Sequence, residues 1–345
     1  MSEFRDVRTA MVGCGYWGAN LLRNFASLSD LRVACDLSPA VRAKVAAQYP
    51  GARVTDSYES VLADPEVQAV VLATPAPAHA DMAVQALEAG KHVFVEKPLA
   101  LSVADAERMV RAADEGGRIL MVGHLLEYHP AVEHIKEMIT SGELGDVYYA
   151  YSQRLNLGKL RSDENALWSL APHDISILLY LMDEEPEEVT ASGQAFLQSD
   201  IEDVVFVTLR FPSGRIAHVH VSWLDPHKER RLTVVGSRKM VVFNDMDPRE
   251  KVRVFDKGLD RRAPAPAPAG LPEPVLFAPR DGDIVSPRIG GHEPLAIECA
   301  EFLRAVVTGN PPRSDGRDGL RVVRVLERAQ EALAAGRLAY AGAPA

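Results

Sequence analysis

Cysteine is scarce in this chain. Its 345 residues hold three, Cys14, Cys35 and Cys299, and none has metal-ligand spacing. That argues against a disulfide scaffold and against a structural zinc site. No apolar run reaches the ~18 residues that would mark a membrane helix. The opening Met1-Ser2-Glu3-Phe4-Arg5-Asp6 has no apolar signal region, so a cytoplasmic location is the expectation. Long basic runs are missing too. The 38 Lys and Arg are outnumbered by 48 Asp and Glu, a formal net charge of −10. Neither nucleic acid nor an anionic membrane is therefore an expected partner. There are no internal repeats. What remains is 47% hydrophobic and 25% charged, an ordinary globular composition. The length suits two domains of roughly 100–200 residues each.

The chain is organised around Val7-Arg8-Thr9-Ala10-Met11-Val12-Gly13-Cys14-Gly15-Tyr16-Trp17-Gly18. This reads as a strand, a tight turn and the first turn of a helix. Gly13, Gly15 and Gly18 fit the G-x-G-x-x-G dinucleotide fingerprint. The first makes the turn, the second lets backbone approach a pyrophosphate, and the third lets helix pack on strand. A second strand, Leu31 to Asp36, ends in an acid about twenty residues past the turn, where a carboxylate binds the ribose 2′-OH and repels a 2′-phosphate. NAD is thus favoured over NADP. The alternative for Asp36 is a turn-starter ahead of Ser38-Pro39.

Strand and helix alternate to about residue 124, which predicts a parallel sheet covered on both faces. Strands are expected at 69–74, 92–95 and 119–124, with helices at 17–27, 57–62, 80–89 and from Ser102 to about 114. The division is a dinucleotide-binding domain over 1–124 and a second α/β domain over 125–345. In the latter, helices are expected at about 131–140 and through His173 to 181. Strands are expected at 147–152, 189–195, 204–211, 216–223, 231–235, 240–243 and 252–255, forming a large, open, mostly antiparallel sheet. Arg261 to Pro274 is Pro/Ala-rich and should be extended and exposed. Two amphipathic helices, 295–308 and 320–334, finish the chain.

Glu96-Lys97-Pro98 follows a predicted parallel strand directly, at the strand end where ligands of such sheets sit. A lysine there can hydrogen-bond a substrate hydroxyl and stabilise oxygen charge as hydride leaves; by position alone it could equally be a solvated surface lysine. Arg154 and Asn156, with Lys159 and Arg161 on the following polar loop, suit a polyhydroxylated or phosphorylated sugar, or an ordinary solvated loop. Tyr128 and His129 are either cleft residues or packed between domains. His218 and His220 alternate on one strand face, but no third ligand accompanies them. A polar or interfacial sheet face is the reading, and no metal is expected.

The GCGYWG turn, Asp36, Thr74-Pro75…His79 and Glu96-Lys97-Pro98-Leu99 together resemble the Gfo/Idh/MocA oxidoreductases. The resemblance continues through Gly123-His124…Tyr128-His129-Pro130, Trp168…Pro172-His173-Asp174 and Glu293-Pro294-Leu295…Glu298. It is closest to the branch that oxidises C3 of UDP-N-acetylglucosamine-type sugars and to relatives in antibiotic sugar assembly. It implies an N-terminal Rossmann domain, NAD, and hydride transfer from a ring carbinol of a small sugar, with inositol dehydrogenation as an alternative. It also implies Lys97 and His173 as catalytic groups. Gly13, Gly15, Tyr16, Trp17, Gly18, Asp36, Thr74, Pro75, His79, Glu96 and Lys97 would lie at the cofactor. Lys97, His124, Tyr128, Arg154, Asn156, Lys159, Arg161, Trp168 and His173 would lie at the substrate. A homodimer or homotetramer through the open sheet, and a PLP aminotransferase as pathway neighbour, are further expectations. One departure stands out. The residue four before His173, often Asp in the family, is Ser169, which cannot serve as an anionic relay; Asp174 or the Lys97 ammonium would have to compensate. A non-catalytic dinucleotide-binding sensor is the competing class.

Overall fold

The computed structural model describes residues 4–158, 160–262 and 276–340. They pack as two compact units.

The first unit opens with β1 (Phe4–Val12), α1 (Gly18–Leu28), β2 (Ser29–Cys35), α2 (Pro39–Gln48), β3 (Arg53–Thr55) and α3 (Tyr58–Leu62). It continues with β4 (Ala69–Leu72), α4 (His79–Glu88), β5 (His92–Val95), α5 (Val103–Gly116) and β6 (Leu120–Val122). The strands form one sheet in the order β3-β2-β1-β4-β5-β6, parallel throughout. This is the doubly wound order that the alternating pattern implies. Ala69–Leu72 is buried at every position, as a strand covered on both faces must be.

The second unit holds α6 (Pro130–Thr140), β7 (Val147–Leu157), α7 (Ala166–Met182), β8 (Glu188–Gln194), β9 (Val204–Arg210) and β10 (Ile216–Ser222). β11 (Leu224–Gly236), β12 (Met240–Asn244), β13 (Val252–Arg262) and β14 (Leu276–Val285) complete its sheet. The order is β14-β13-β12-β11-β7-β10-β9-β8, antiparallel except where β10 meets β7. The Pro/Ala-rich stretch after Arg262 lies outside the described residues. On β7 the alternation is regular: Ala150, Ser152 and Arg154 are buried, while Tyr149 is exposed and Tyr151 half-exposed. α7 packs on the covered face against β7 and β10. The opposite face carries Tyr149 stacked near Tyr151, and Phe206 stacked on His220 at 4.3 Å.

α8 (Pro294–Thr308) and α9 (Gly316–Tyr340) end the chain. The division differs from the one drawn at residue 124. The first unit runs through His129 and resumes from His292 to Arg328, and the second takes the chain between them and from Ala329 on. The reason is Phe302. It meets Phe25 and Phe94 edge-on, with ring centroids 6.0 and 5.7 Å away, in the core that also buries Leu295, Cys299 and Leu303. α8 is thus a cover of the parallel sheet, although it follows the second unit in sequence. No helix among the described residues is long and apolar enough to cross a membrane.

Candidate active site

β1 runs into the glycine turn. Gly13 has φ +85°, and a Cβ there would stand 2.6 Å from the Ala73 carbonyl oxygen, so both backbone and neighbour demand glycine. Gly15 is exposed with open space around it, and Tyr16 is fully exposed. Ser38, Ser57, Ser102 and Asn165 cap α2, α3, α5 and α7 with side-chain oxygens. α1 has neither a side-chain cap nor an acid in its first turn. The Ala19 amide donates to Gly15 and the Asn20 amide to Trp17, so what α1 offers an anionic guest is the positive end of its dipole with no acid against it.

Asp36 starts the turn into α2 and also holds the glycine turn. Oδ2 accepts from the Cys14 amide at 2.8 Å, pinning the glycine turn, and Oδ1 accepts from the Ser38 amide at 2.8 Å, starting the turn into α2. A carboxylate has lone pairs left for a ribose diol. Asp36→Ala should weaken NAD binding about tenfold and narrow the preference for NAD over NADP by a similar factor, since it removes charge-assisted bonds and the repulsion of a 2′-phosphate. Fluorescence titration with NADH and NADPH measures both.

Lys97 is half-buried at the carboxyl end of β5. Glu96 beside it is buried, accepting from the Trp17 indole on Oε1 and from the Lys97 amide at 3.1 Å on Oε2. His79 lies between two carbonyl oxygens, Nδ1 at 2.8 Å from Pro98 and Nε2 at 2.9 Å from Thr74. Burial pulls the His79 pKa down, while the two carbonyls favour a second ring proton. Thr74 is half-buried and Pro75 exposed.

His124 and Tyr128, expected at the substrate, are buried inside the first unit. His124 Nδ1 donates to Asp318 at 2.8 Å and lies 3.3 Å from Glu127. Burial opposes its charge, but the two carboxylates prevail and raise its pKa to about 10. Burial and the Asp318 charge push Glu127 up to about 8. These three residues offer ligand atoms within 4.8 Å of one another, a grouping not legible beforehand because Asp318 is 194 residues from His124. The Tyr128 hydroxyl is bonded to Ser314, and Arg313 lies 5.0 Å over its ring. Glu298 was noticed only as part of a motif. It is fully buried, neither oxygen has a hydrogen-bond partner, and burial together with the Glu96 charge pushes its carboxyl well up.

In the second unit, Asn165 caps α7, and its side-chain amide bonds Glu202 and Gln330. Gln330 also accepts from the Trp168 indole at 3.2 Å. His173 is half-buried in the interior of α7, not at its start, just after Pro172. Ser169 stands one turn before it, on the same helix face. Arg154 is not at a solvent edge. Its Nε donates to Asp174 Oδ2 at 2.6 Å and its Nη2 to Oδ1 at 3.4 Å, both side chains being at least nine-tenths buried. Asn156 is half-buried with its side-chain oxygen unbonded. Arg161 is exposed and paired with Asp163 and Glu164 at 2.8 Å. Lys159 lies outside the described residues.

Comparison with known proteins bears on both units. Residues 7–124 match the model described as oxidoreductase family, NAD-binding Rossmann fold, and residues 132–242 match the GFO/IDH/MocA C-terminal domain. The chain belongs to the Gfo/Idh/MocA oxidoreductase family. The first unit is accordingly its NAD-binding domain, and the uncapped α1, open Gly15 and Asp36 fit that cofactor. Among family members, the UDP-N-acetylglucosamine 3-dehydrogenase of Acidithiobacillus ferrooxidans is 28% identical over 92% of this chain and 94% of its own. A solved structure of that enzyme has a TM-score of 0.79 at 26% identity, covering 95% and 97%. The inositol 2-dehydrogenase of Acidothermus cellulolyticus is 31% identical over 64% of this chain and 68% of its own. GenD2 from gentamicin A biosynthesis, solved in complex with NAD, has a TM-score of 0.80 at 26% identity, covering 97% and 96%. The chain spans about three-fifths of the length of the first curated relatives it matches, 61% and 60%.

Proposed function

We propose that this family member oxidises a secondary ring hydroxyl of a sugar unit, at C3, to a ketone. The observation that carries the reading is Lys97, half-buried at the carboxyl end of β5 in the NAD-binding unit, with its neighbours Glu96 and Pro98 both tied down. NAD, when bound, accepts the hydride. The Lys97 ammonium hydrogen-bonds the substrate oxygen and steadies the charge that develops there. His173 takes the hydroxyl proton, as an imidazole can. Ser169 carries no charge, and Asp174 is engaged by Arg154. Of the two groups able to replace the family's usual acid, the Lys97 ammonium is the one this reading uses.

The carrier we assign is an amino-sugar glycoside of the aminoglycoside kind. Of the three cations considered for an anionic carrier, Arg154 faces Asp174 and Arg161 faces Asp163 and Glu164, while Lys159 lies outside the described residues. The net charge of −10 adds a field that attracts cations. The likeness to GenD2 points the same way. The second reading is a nucleotide-linked N-acetylglucosamine, supported by the near full-length match to the 3-dehydrogenase. Self-association through the open sheet face around Tyr149 and Phe206, and an aminotransferase acting on the keto product, belong to the same reading.

The test is NADH formation by purified protein with NAD and a panel of gentamicin-class pseudotrisaccharides, UDP-N-acetylglucosamine, its uronic acid, a dTDP-hexose and myo-inositol. Turnover of an aminoglycoside, with the keto carbon located by NMR, is expected. Turnover of the nucleotide sugar alone keeps the reaction and replaces the carrier. Bound NAD that no sugar reduces would favour the sensor.

A further inference from the structure

Sequence reasoning set Trp17 and Glu96 among the cofactor ligands, yet in the folded chain their polar atoms are bonded to each other. Trp17 stands at the end of the glycine turn, where α1 begins. Its indole Nε1 donates to Glu96 Oε1 at 2.5 Å, across 79 residues of sequence. The other carboxylate oxygen accepts from the backbone amide of Lys97. The carboxyl group rests on Gly123, where a Cβ would stand 3.2 Å from Oε1, so there is little room for it to shift that way. On the far side of Lys97, the Pro98 carbonyl is held by His79, which also reaches Thr74. The backbone of Lys97 is therefore fastened on both flanks, and the Glu96 flank is fastened to the turn that receives the pyrophosphate.

We infer that Glu96 and Trp17 form a positioning latch that couples the phosphate-binding turn to the lysine at the reacting centre. Resting on the function proposed above, the latch sets where the Lys97 ammonium stands and contributes little to NAD affinity itself. The charged and titratable groups around Glu96 are consistent with this. Burial pushes the Glu96 carboxyl up, while the Trp17 bond, Lys97 and His124 favour its anion, and burial likewise pushes the Glu298 carboxyl well up. A buried carboxylate with two donors is a firm anchor, because releasing either bond would leave a buried acceptor unsatisfied.

Two variants test the latch. Trp17→Phe keeps the ring and removes the N–H; Glu96→Gln keeps the shape and removes the charge and one acceptor. On the latch reading each lowers kcat about tenfold, the scale of one charge-assisted hydrogen bond. The NAD dissociation constant and the sugar KM should stay at wild-type values, while the Tm falls by a few degrees because a buried acceptor loses its donor. A second readout needs no sugar. With saturating NADH, the rate at which an amine-reactive ester labels Lys97, followed by peptide mass spectrometry, should change several-fold in both variants while other lysines label as before. Weaker NAD binding with kcat and Lys97 labelling intact would make Trp17 a cofactor ligand and overturn the latch. Unchanged labelling in both folded variants would overturn it too. Because labelling is independent of turnover, a wrong substrate assignment and a wrong latch give different results.

Discussion

Lys97→Ala should lower kcat about a thousandfold and leave NAD affinity unchanged; His173→Ala should lower it about a hundredfold. The two numbers differ because the roles differ. Removing an ammonium that stabilises a developing oxygen charge in a partly water-excluded position costs on the order of 10²–10³-fold. On the proposed mechanism the lysine also covers for the absence of an acid at Ser169, so its loss falls at the upper end. A proton acceptor is more easily replaced by water, and general-base contributions begin at about 10². The features proposed to hold NAD are the dipole end of α1 and the Asp36 carboxylate, which accepts from the Cys14 and Ser38 amides. Steady-state kinetics with an active sugar gives kcat, and NADH fluorescence gives the dissociation constant. If both variants turn over at the wild-type rate, the catalytic roles given to Lys97 and His173 are lost. If Lys97→Ala loses NAD as well, the lysine holds the cofactor and the mechanism must be redrawn.

Much of the first unit was legible because its strands are short apolar runs separated by helices, three of them (α2, α3 and α5) capped by a serine side chain. Val70-Val71-Leu72 and Val93-Phe94-Val95 could be read directly, and both lie in β4 and β5. β3 escaped because Arg53–Thr55 is three residues long with one pairing partner, β2. β14 escaped for a similar reason. Leu276–Val285 is polar in the middle and pairs only with β13, so no two-sided burial enriches it in apolar residues. The contacts that reassign α8 are not periodic features. Phe302 looks like any apolar helix residue until its partners, Phe25 and Phe94, are known. Asp36 presented two readings of which one had to be chosen from sequence, whereas a carboxylate has oxygens enough for both. A polar group near a strand end is expected to face a ligand, but His124 is bonded to Asp318 and Arg154 to Asp174, both inside the protein. For Arg154 a signal was present. Ala150, Ser152 and Arg154 share one face of β7, and two small residues in that register mark a face pressed against a helix.

That burial makes the pair with Asp174 the second large effect. Arg154→Met should destabilise the second unit by about 3–5 kcal/mol, because it leaves the Asp174 carboxylate buried without a counter-charge. Both side chains are at least nine-tenths buried, so solvent screening does little to soften the loss. The two bonds to one carboxylate fix the pair's geometry, which is the case where attraction best offsets desolvation. Arg154→Met combined with Asp174→Leu should recover most of the stability, since apolar groups of similar volume need no partner. Urea unfolding followed by circular dichroism separates the outcomes: a midpoint lowered in the single variant with an unchanged slope, and a midpoint near wild type in the double. A single variant as stable as wild type, with sugar KM raised instead, would show that the guanidinium binds substrate and that its bond to Asp174 is a resting arrangement. The double variant then decides what the pair does for His173, the residue immediately before Asp174 on α7. A stable double variant that turns over slowly at unchanged sugar KM means the ion pair orients the helix that carries the base. One that turns over normally means the charges hold the sheet and helix together and do nothing more.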